Sequence, residues 1–199
     1  MERETELALV ERLRQGQADA FDDVHAAFNV PLFTFLVRLS RRRDVAEDLL
    51  EETWLRLVTH ARRLRPDTRL GPWLFTVARN LHTSFRRSRL LEDSAATSLM
   101  GLWPVGRAGS SPFEATAASE LERRIERALA ALPVASREVL LLVAVAGLDP
   151  SDAADVCGVT PEALRQRLHR ARAALARALE RDAAVQSPTA GDIAPCPTR

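Results

Sequence analysis

Apolar residues recur at every third or fourth position through most of this 199-residue chain. That spacing places them on one face of an α-helix, and the alternation typical of a β-strand is absent. We therefore predict an all-α protein with two groups of helices. The first group is predicted at residues 4–15, 18–28, 30–42, 44–63 and 71–89. The second group is predicted at residues 115–131, 134–146, 150–157 and 161–181.

Two segments rich in Pro, Gly, Ser and Ala interrupt the helical pattern. Residues 92–114 include SAATSLMGLWPVGRAGSSP, a composition that predicts a flexible linker. Residues 183–199 include QSPTAGDIAPCPTR, which is typical of a disordered tail. The predicted organisation is a helical bundle at 1–91, a linker at 92–114, a second helical domain at 115–182 and a tail.

Residues 149–173 predict a helix-turn-helix, in which two short helices are joined by a tight turn. Ala154 is small at the point where the two helices must pack closely. Gly158 supplies a residue without a Cβ atom where the chain turns. Thr160 is predicted to cap the second helix through its side-chain oxygen, and Pro161 suits the first helical position.

The second helix of this motif combines an apolar stripe with a basic face. Its apolar stripe consists of Leu164, Leu168, Ala171 and Leu175. Residues 161–181 hold six arginines and two glutamates, a charge that suits the major groove of DNA. The side chains predicted to face the DNA are Arg165, Gln166, Arg167, His169, Arg170 and Arg172. A basic helix can also be ordinary solvated surface, so this motif alone leaves both interpretations open.

The predicted helix at 44–63 begins with a dense acidic cluster. Five carboxylates fall within nine residues: Asp44, Glu47, Asp48, Glu51 and Glu52. Residues four positions apart share a helix face, so like charges are stacked on one side. Asp44 is predicted to cap the helix, with Glu47 as its capping-box partner. The acidic face is either solvated surface or a docking face for a basic partner.

Composition excludes several classes of protein. The N-terminus is charged and amphipathic, unlike a signal peptide, and the longest apolar run, 139–148, is too short to cross a bilayer. We therefore expect a cytoplasmic protein without membrane insertion. The four histidines are scattered, and Cys157 and Cys196 lack the spacing of a metal site or disulfide framework. With no nucleophile–base pair or phosphate loop, we predict no metal, no cofactor and no enzymatic activity.

Three segments, in order, resemble bacterial RNA polymerase sigma factors of the extracytoplasmic-function (ECF) group. DVAEDLLEETWLRL (44–57) resembles the family's core-binding segment, commonly written DAEDLVQETFLRV. PWLFTVARNLHTSFRR (72–87) resembles the segment WLFxIARNxxxDxxRR, which handles the downstream promoter element. Residues 132–175 resemble the C-terminal promoter-binding domain. The chain departs from the family pattern at Ser84, where Asp is usual, at Glu51, where Gln is common, and at Asp152, where Glu is usual.

The resemblance implies a transcription initiation factor that binds core RNA polymerase and directs it to specific promoters. The implied partners are a coiled coil of the largest polymerase subunit, the polymerase flap region, promoter DNA and an anti-sigma factor. The resemblance assigns the coiled-coil contact to the acidic cluster, Asp44, Glu47, Asp48, Glu51 and Glu52. It assigns the downstream element to the segment around 62–87, where the candidates are Arg65, Arg69, Arg79, Asn80, Arg86 and Arg87.

The resemblance implies that the second helix of the helix-turn-helix reads the upstream element. Helix geometry then favours Arg165, Gln166 and His169 for base edges, and Arg167, Arg170 and Arg172 for phosphates. Trp73 and Phe75 are predicted to be mainly core residues. Two other classes of protein share some of these sequence features. A conventional helix-turn-helix regulator with a helical sensor domain would bind duplex DNA alone, usually as a dimer on a palindrome. A sigma mimic that sequesters a partner would keep the acidic surface but lose the arginines at 165–172.

Overall fold

The computed structural model describes residues 3–99 and 120–186, and within them every regular element is helical. The prediction of an all-α fold is confirmed. The eight α-helices of the described residues are α1 (Arg3–Arg14), α2 (Ala18–Ser40), α3 (Arg43–His60), α4 (Leu70–Leu99), α5 (Glu120–Ala130), α6 (Val134–Ala144), α7 (Pro150–Cys157) and α8 (Pro161–Gln186). A short 3₁₀ turn at Ala61–Arg63 follows α3.

The helices extend into both segments that the composition marks as irregular. Helix α4 continues to Leu99, inside the predicted linker, and α8 continues to Gln186, inside the predicted tail. Residues 100–119 and 187–199, which include Trp103 and Cys196, lie outside the described residues.

Helix α2 is one continuous helix where the pattern predicts two, at 18–28 and 30–42. Pro31 lies inside it, although proline lacks the N–H of the helical hydrogen bond and disfavours a helix interior. Residues on both sides of Pro31 are fully buried, including Val24, Leu32 and Phe35. Because one continuous helix buries all of them, tertiary packing outweighs the local preference of proline.

The core of the N-terminal helices lies where α2 packs against α3 and α4. Leu32, Leu57 and Leu74 are fully buried there. Phe35 and Phe75 meet edge to face with ring centroids 5.3 Å apart, a favourable aromatic geometry. The prediction that Phe75 is a core residue is confirmed, whereas Trp73 is half-buried at the edge of the core.

The C-terminal helices form a compact unit in which α8 packs against α5, α6 and α7. Ala154 on α7 and Leu164 on α8 are fully buried, as the predicted close approach of the two helices requires. Leu141 and Leu142 on α6 complete this core. Cys157 is also buried, and burial raises the pKa of its thiol to about 11, so it behaves as a small apolar residue.

The two groups of helices pack directly against each other and share one continuous hydrophobic core. Arg137 on α6 lies at their junction with 4% of its surface exposed. Its guanidinium donates hydrogen bonds to the carbonyl oxygens of Leu129 (2.9 Å), Ala130 (3.1 Å) and Leu132 (3.0 Å) at the end of α5, and of Arg38 (3.4 Å) and Leu39 (3.2 Å) at the end of α2. A cation is favoured at helix C-termini, so Arg137 joins two helix ends.

Candidate functional site

The acidic cluster lies on the solvent side of α3, and the helix starts differently from the prediction. The predicted N-cap at Asp44 is wrong, because α3 begins at Arg43 with Arg42 as its N-cap. The Asp44 carboxylate pairs with Arg42, which lowers the pKa of Asp44 below its usual range. Glu47 accepts a hydrogen bond from Arg43 at 2.8 Å rather than closing a capping box.

The five carboxylates of this cluster therefore fall into two sets. Asp44, Glu47 and Glu52 are paired with arginines, the last with Arg56 at 2.8 Å. Asp48 and Glu51 are exposed and have no ion pair within the described part of the chain. These two carboxylates are the ones free to bind a basic partner.

An apolar groove of about 400 Å³ lies beside the acidic cluster, between α2 and α3. We call it the α2–α3 groove; its walls include Phe21, His25, Asn29, Trp54, Leu55 and Val58. The Trp54 indole N–H donates to Asn29 Oδ1 at 3.1 Å, which fixes the ring in the floor of the groove. Leu55 and Val58 are 52% and 57% exposed, so the groove has an open apolar rim.

Sequence reasoning missed the α2–α3 groove. The sequence places Trp54 on the apolar side of α3, and the tryptophan is indeed 8% exposed. His25 and Phe21 come from α2, which is distant in sequence, and their rings lie 4.9 and 5.9 Å from the Trp54 ring. The sequence signal that could have located this groove was the pair of apolar residues Leu55 and Val58 on a helix with many charged side chains. The structure shows both of them exposed.

The segment between α3 and α4, which precedes WLF, is held by α1. The Glu6 carboxylate accepts a hydrogen bond from the buried N–H of Leu70 at 2.8 Å and so satisfies an otherwise unpaired group at the start of α4. Arg3 binds Glu6 at 2.8 Å and also donates to the carbonyl oxygen of Asp67 at 2.8 Å. Helix α1 thereby fixes the position of the predicted downstream-element loop.

The six residues predicted for the downstream element do not share one environment. Arg86, Arg87 and Asn80 are exposed on α4. Arg65 is also exposed and pairs with Asp67 at 3.1 Å. Arg69 and Arg79 instead form ion pairs with acidic residues of the C-terminal helices. The structure thus pairs Arg69 and Arg79 at the junction of the two groups of helices, although the Arg69 side chain is still 49% exposed, and leaves the other four side chains exposed.

The helix-turn-helix has the local geometry that the sequence predicts. Gly158 adopts a left-handed conformation, with φ of 64°, at the end of α7. Thr160 Oγ1 accepts a hydrogen bond from the N–H of Ala163 at 3.2 Å, which confirms the predicted cap of α8. Asp149 caps α7 by accepting hydrogen bonds from Ser151 and Asp152, and these bonds lower its pKa to about 2.

The outer face of α8 is exposed at all six positions predicted to meet DNA. These residues are Arg165, Gln166, Arg167, His169, Arg170 and Arg172. Arg165 and Gln166 both donate to Glu162, the former at 2.5 Å, so the two side chains are held together at the N-terminal end of the helix. That end is the part of a recognition helix that contacts base edges. The face defines a basic helical surface suited to duplex DNA.

Other classes of site find no support in the described ranges 3–99 and 120–186. No group of three or more His, Cys, Asp and Glu side chains there could hold a metal ion. No helix in the same ranges has the length and apolar content needed to cross a membrane.

Comparison with known proteins identifies the family. Residues 26–90 match the family model for sigma-70 region 2, and residues 122–175 match that for sigma-70 region 4. The ECF RNA polymerase sigma factor EcfG of Rhodopseudomonas palustris is 37% identical over 166 residues, covering 82% of this chain and 86% of EcfG. The RNA polymerase sigma factor CarQ of Myxococcus xanthus is 33% identical over 161 residues, covering 81% of this chain and 90% of CarQ.

Solved structures agree with this assignment. The sigma factor RpoE from Bartonella quintana, crystallised with the anti-sigma factor NepR, is 26% identical to this chain. It superposes with a TM-score of 0.63 over 80% of this chain and 98% of RpoE. CnrH, solved with the cytosolic domain of CnrY, is 23% identical with a TM-score of 0.64, covers 89% of this chain and 98% of CnrH, and shares the fold.

A helical protein with an exposed acidic cluster on α3 and a basic helix-turn-helix has the architecture of an RNA polymerase sigma factor. The chain belongs to the ECF family of RNA polymerase sigma factors, which direct the polymerase to specific promoters to initiate transcription. A conventional helix-turn-helix regulator is not favoured.

Proposed function

We propose that core RNA polymerase docks on the acidic cluster of α3 together with the α2–α3 groove. The acidic cluster supplies two unpaired carboxylates, Asp48 and Glu51, for a basic partner surface. The groove beside them supplies an open apolar strip with Leu55 and Val58 at its rim. Apolar contacts beside charged ones fit one face of a coiled coil, which carries both kinds of side chain. The flap region is the proposed partner of the C-terminal helices.

Charge reversal tests this docking surface. Asp48→Arg with Glu51→Arg should abolish binding to core polymerase, because these are the two exposed carboxylates of the cluster that have no ion pair in the described part of the chain. The control Glu4→Arg with Glu180→Arg makes the same change of charge at exposed positions of α1 and α8. Fluorescence anisotropy with labelled chain and purified core polymerase measures the affinity, and circular dichroism verifies the fold. Normal core binding by the folded α3 variant would reject the assignment.

We propose further that the outer face of α8 reads the upstream promoter element. Arg165 and Gln166 are held by Glu162 at the N-terminal end of α8, which is proposed to approach bases. Arg170 is exposed on the same helix and is proposed to contact phosphate. Arg165→Ala and Gln166→Ala should each relax selectivity at one base position by about 5- to 150-fold, equivalent to about 1–3 kcal/mol. Arg170→Ala should weaken binding to all promoters alike. Promoter ranking by the polymerase complex measures both effects, and an unchanged ranking removes the residue from the base-reading set.

The downstream element is proposed to contact Arg65, Arg69, Arg79, Asn80, Arg86 and Arg87 once the duplex opens. Arginine grips phosphate through a planar fork, and single-stranded DNA is held mainly through its backbone and stacked bases. Run-off transcription with core polymerase, with and without this protein, tests the whole proposal. New RNA start sites that share two spaced upstream motifs are the expected result, and their absence despite verified core binding would refute promoter recognition.

An anti-sigma factor is a further proposed partner, supported by RpoE having been crystallised with one. The α2–α3 groove is the surface proposed to bind it, in competition with core polymerase. We also propose that the protein acts in the cytoplasm, where core polymerase and DNA are, and that it has no enzymatic activity of its own.

A further inference from the structure

The loop between α3 and α4 is an exposed arch with a buried leucine at each end. Residues 65–69, which we call the α3–α4 arch, lie between the buried side chains of Leu64 and Leu70. The Thr68 N–H donates to the carbonyl oxygen of Arg65 at 3.0 Å, so the arch contains a β-turn. A surface turn is held weakly by its own backbone, because solvent competes for its hydrogen bond.

A chain of polar contacts from α1 holds this arch. Glu6 Oε1 accepts a hydrogen bond from the Leu70 N–H at 2.8 Å, and Glu6 Oε2 accepts one from Arg3 at 2.8 Å. Arg3 also donates to the carbonyl oxygen of Asp67, in the middle of the arch, at 2.8 Å. The Asp67 carboxylate accepts two hydrogen bonds from Arg65, at 3.1 and 3.2 Å. Helix α1 therefore orients the Arg65 guanidinium through Asp67.

Glu6 is the buried carboxylate of α1. Its side chain is only 12% exposed, although burying a carboxylate is unfavourable unless its oxygens have partners. Both oxygens of Glu6 have partners that lead to the arch, one being the N–H of Leu70 and the other the guanidinium that reaches Asp67. By contrast, the exposed Glu11 pairs with Arg14 of the same helix. The burial of Glu6 is thus tied to the position of the arch.

We propose that Glu6 and Arg3 are positioning residues for the downstream promoter element, because they hold the α3–α4 arch where Arg65 meets the separated strand. The DNA role proposed above for Arg65 is the basis of this inference. Asp67 occupies two N–H donors of the exposed Arg65 guanidinium, and the others stay available to a phosphate. A donor that is already in place loses less conformational freedom on binding. Without the contacts from α1, only a fraction of the arch conformations can bind the strand, and opening falls accordingly.

Promoter opening separates this role from a general loss of structure. The full chain is combined with core polymerase on the promoter mapped by run-off transcription, and permanganate reactivity of unpaired thymines gives the opened fraction. Glu6→Ala should lower that fraction about tenfold, because the arch loses a hydrogen bond to a charged group. Binding of an upstream-element duplex that lacks the downstream element, measured by anisotropy on the same complexes, should change by less than about twofold, because that element is distant from α1.

Three further variants identify the cause of that loss. Val10→Ala, the matched control, removes buried packing from the same helix but leaves the partners of every hydrogen bond to the arch in place, so it should open the promoter as the wild type does. Glu6→Gln keeps an oxygen for the Leu70 N–H but not the charge that holds Arg3, so it should recover part of the opened fraction. Arg3→Ala changes a side chain that is 45% exposed and removes the donor to Asp67, so it gives the same comparison should Glu6→Ala be unstable.

A measurement without DNA tests the contact between α1 and the arch. Hydrogen exchange of the isotope-labelled full chain, followed by NMR, reports how often the Leu70 N–H is exposed to solvent. Exchange at Leu70 should be about tenfold faster in Glu6→Ala than in Val10→Ala, because only the first variant removes its acceptor. Equal exchange rates in the two variants would show that Glu6 does not hold the arch, and would overturn the inference.

Three results of the opening experiment would overturn the inference as well. They are equal opening by Glu6→Ala and the wild type, an equal loss in Glu6→Ala and Val10→Ala, and a parallel loss of binding to the upstream-element duplex. A wild type that binds core polymerase but opens no promoter rejects the proposed DNA role of the arch, and the inference with it. A wild type that opens the promoter no better than Glu6→Ala rejects the inference alone.

Discussion

His82 makes the stability of this protein depend on pH in a way that can be calculated. It lies on α4 with 4% of its surface exposed. Burial, with smaller contributions from the charges of Arg86 and Arg137, lowers its pKa from 6.5 to about 4. The folded protein therefore keeps the imidazole neutral at a pH where the unfolded chain already protonates it.

The direction of this pH dependence follows from which state of the protein, folded or unfolded, binds the His82 proton more tightly. Because the folded pKa is the lower one, the stabilisation is fully present above pH 6.5 and is lost as the pH falls toward 4. With 1.36 kcal/mol for each pKa unit, the free energy of unfolding should fall by about 2 kcal/mol between pH 7.5 and pH 5.0 through this group alone.

Urea unfolding at pH 7.5 and pH 5.0 measures this difference. We expect the wild type to lose about 2 kcal/mol more than His82→Gln over this interval, because the variant has no group that titrates at this site. His169→Gln removes an exposed histidine from α8 and is the matched control. If His82→Gln and the wild type lose equal free energy of unfolding, His82 is not held neutral by the fold and the reasoning fails.

Two further substitutions test the junction and the turn. Arg137→Met should lower the free energy of unfolding by about 3 kcal/mol in urea titrations, because it leaves carbonyl oxygens at two helix ends without their charged donor. Arg137→Lys, which keeps the charge but not the fork, should lose less; a loss equal to that of Arg137→Met would show that the charge contributes nothing and that the guanidinium fork carries the effect. Gly158→Ala should lose about 1 kcal/mol from its φ of 64°, since a Cβ atom there would meet nothing within 4 Å. Gly158→Asn should lose less, and a loss far above 1 kcal/mol for alanine would indicate a clash instead of backbone strain.

The parts of the fold that depend on neighbouring residues could be predicted from the sequence. Within the described residues, the apolar period of 3.6 residues located the second group of helices to within a few residues, apart from the C-terminal end of α8; residues 115–119 of the predicted helix lie outside the described residues. Gly158, Thr160 and Pro161 behave as predicted because turns and caps are made by residues within a few positions of each other. The roles of the acidic and basic faces at particular residues remain predictions.

The tertiary structure decided what depends on residues far apart in the chain. Whether Pro31 breaks α2 depends on the burial of residues along the whole helix. That burial cannot be deduced from the residues next to Pro31 in the sequence. The α2–α3 groove needs His25 and Trp54 to meet, and the pairing of Arg69 with Asp152 joins residues 83 positions apart. The sequence by itself determined the all-α class, the helix-turn-helix turn and the family, because local hydrogen bonding, hydrophobic period and motif order specify them. Only packing decided which arginines pair with acidic residues of the other group of helices, because an ion pair forms between whichever side chains the shared core brings together.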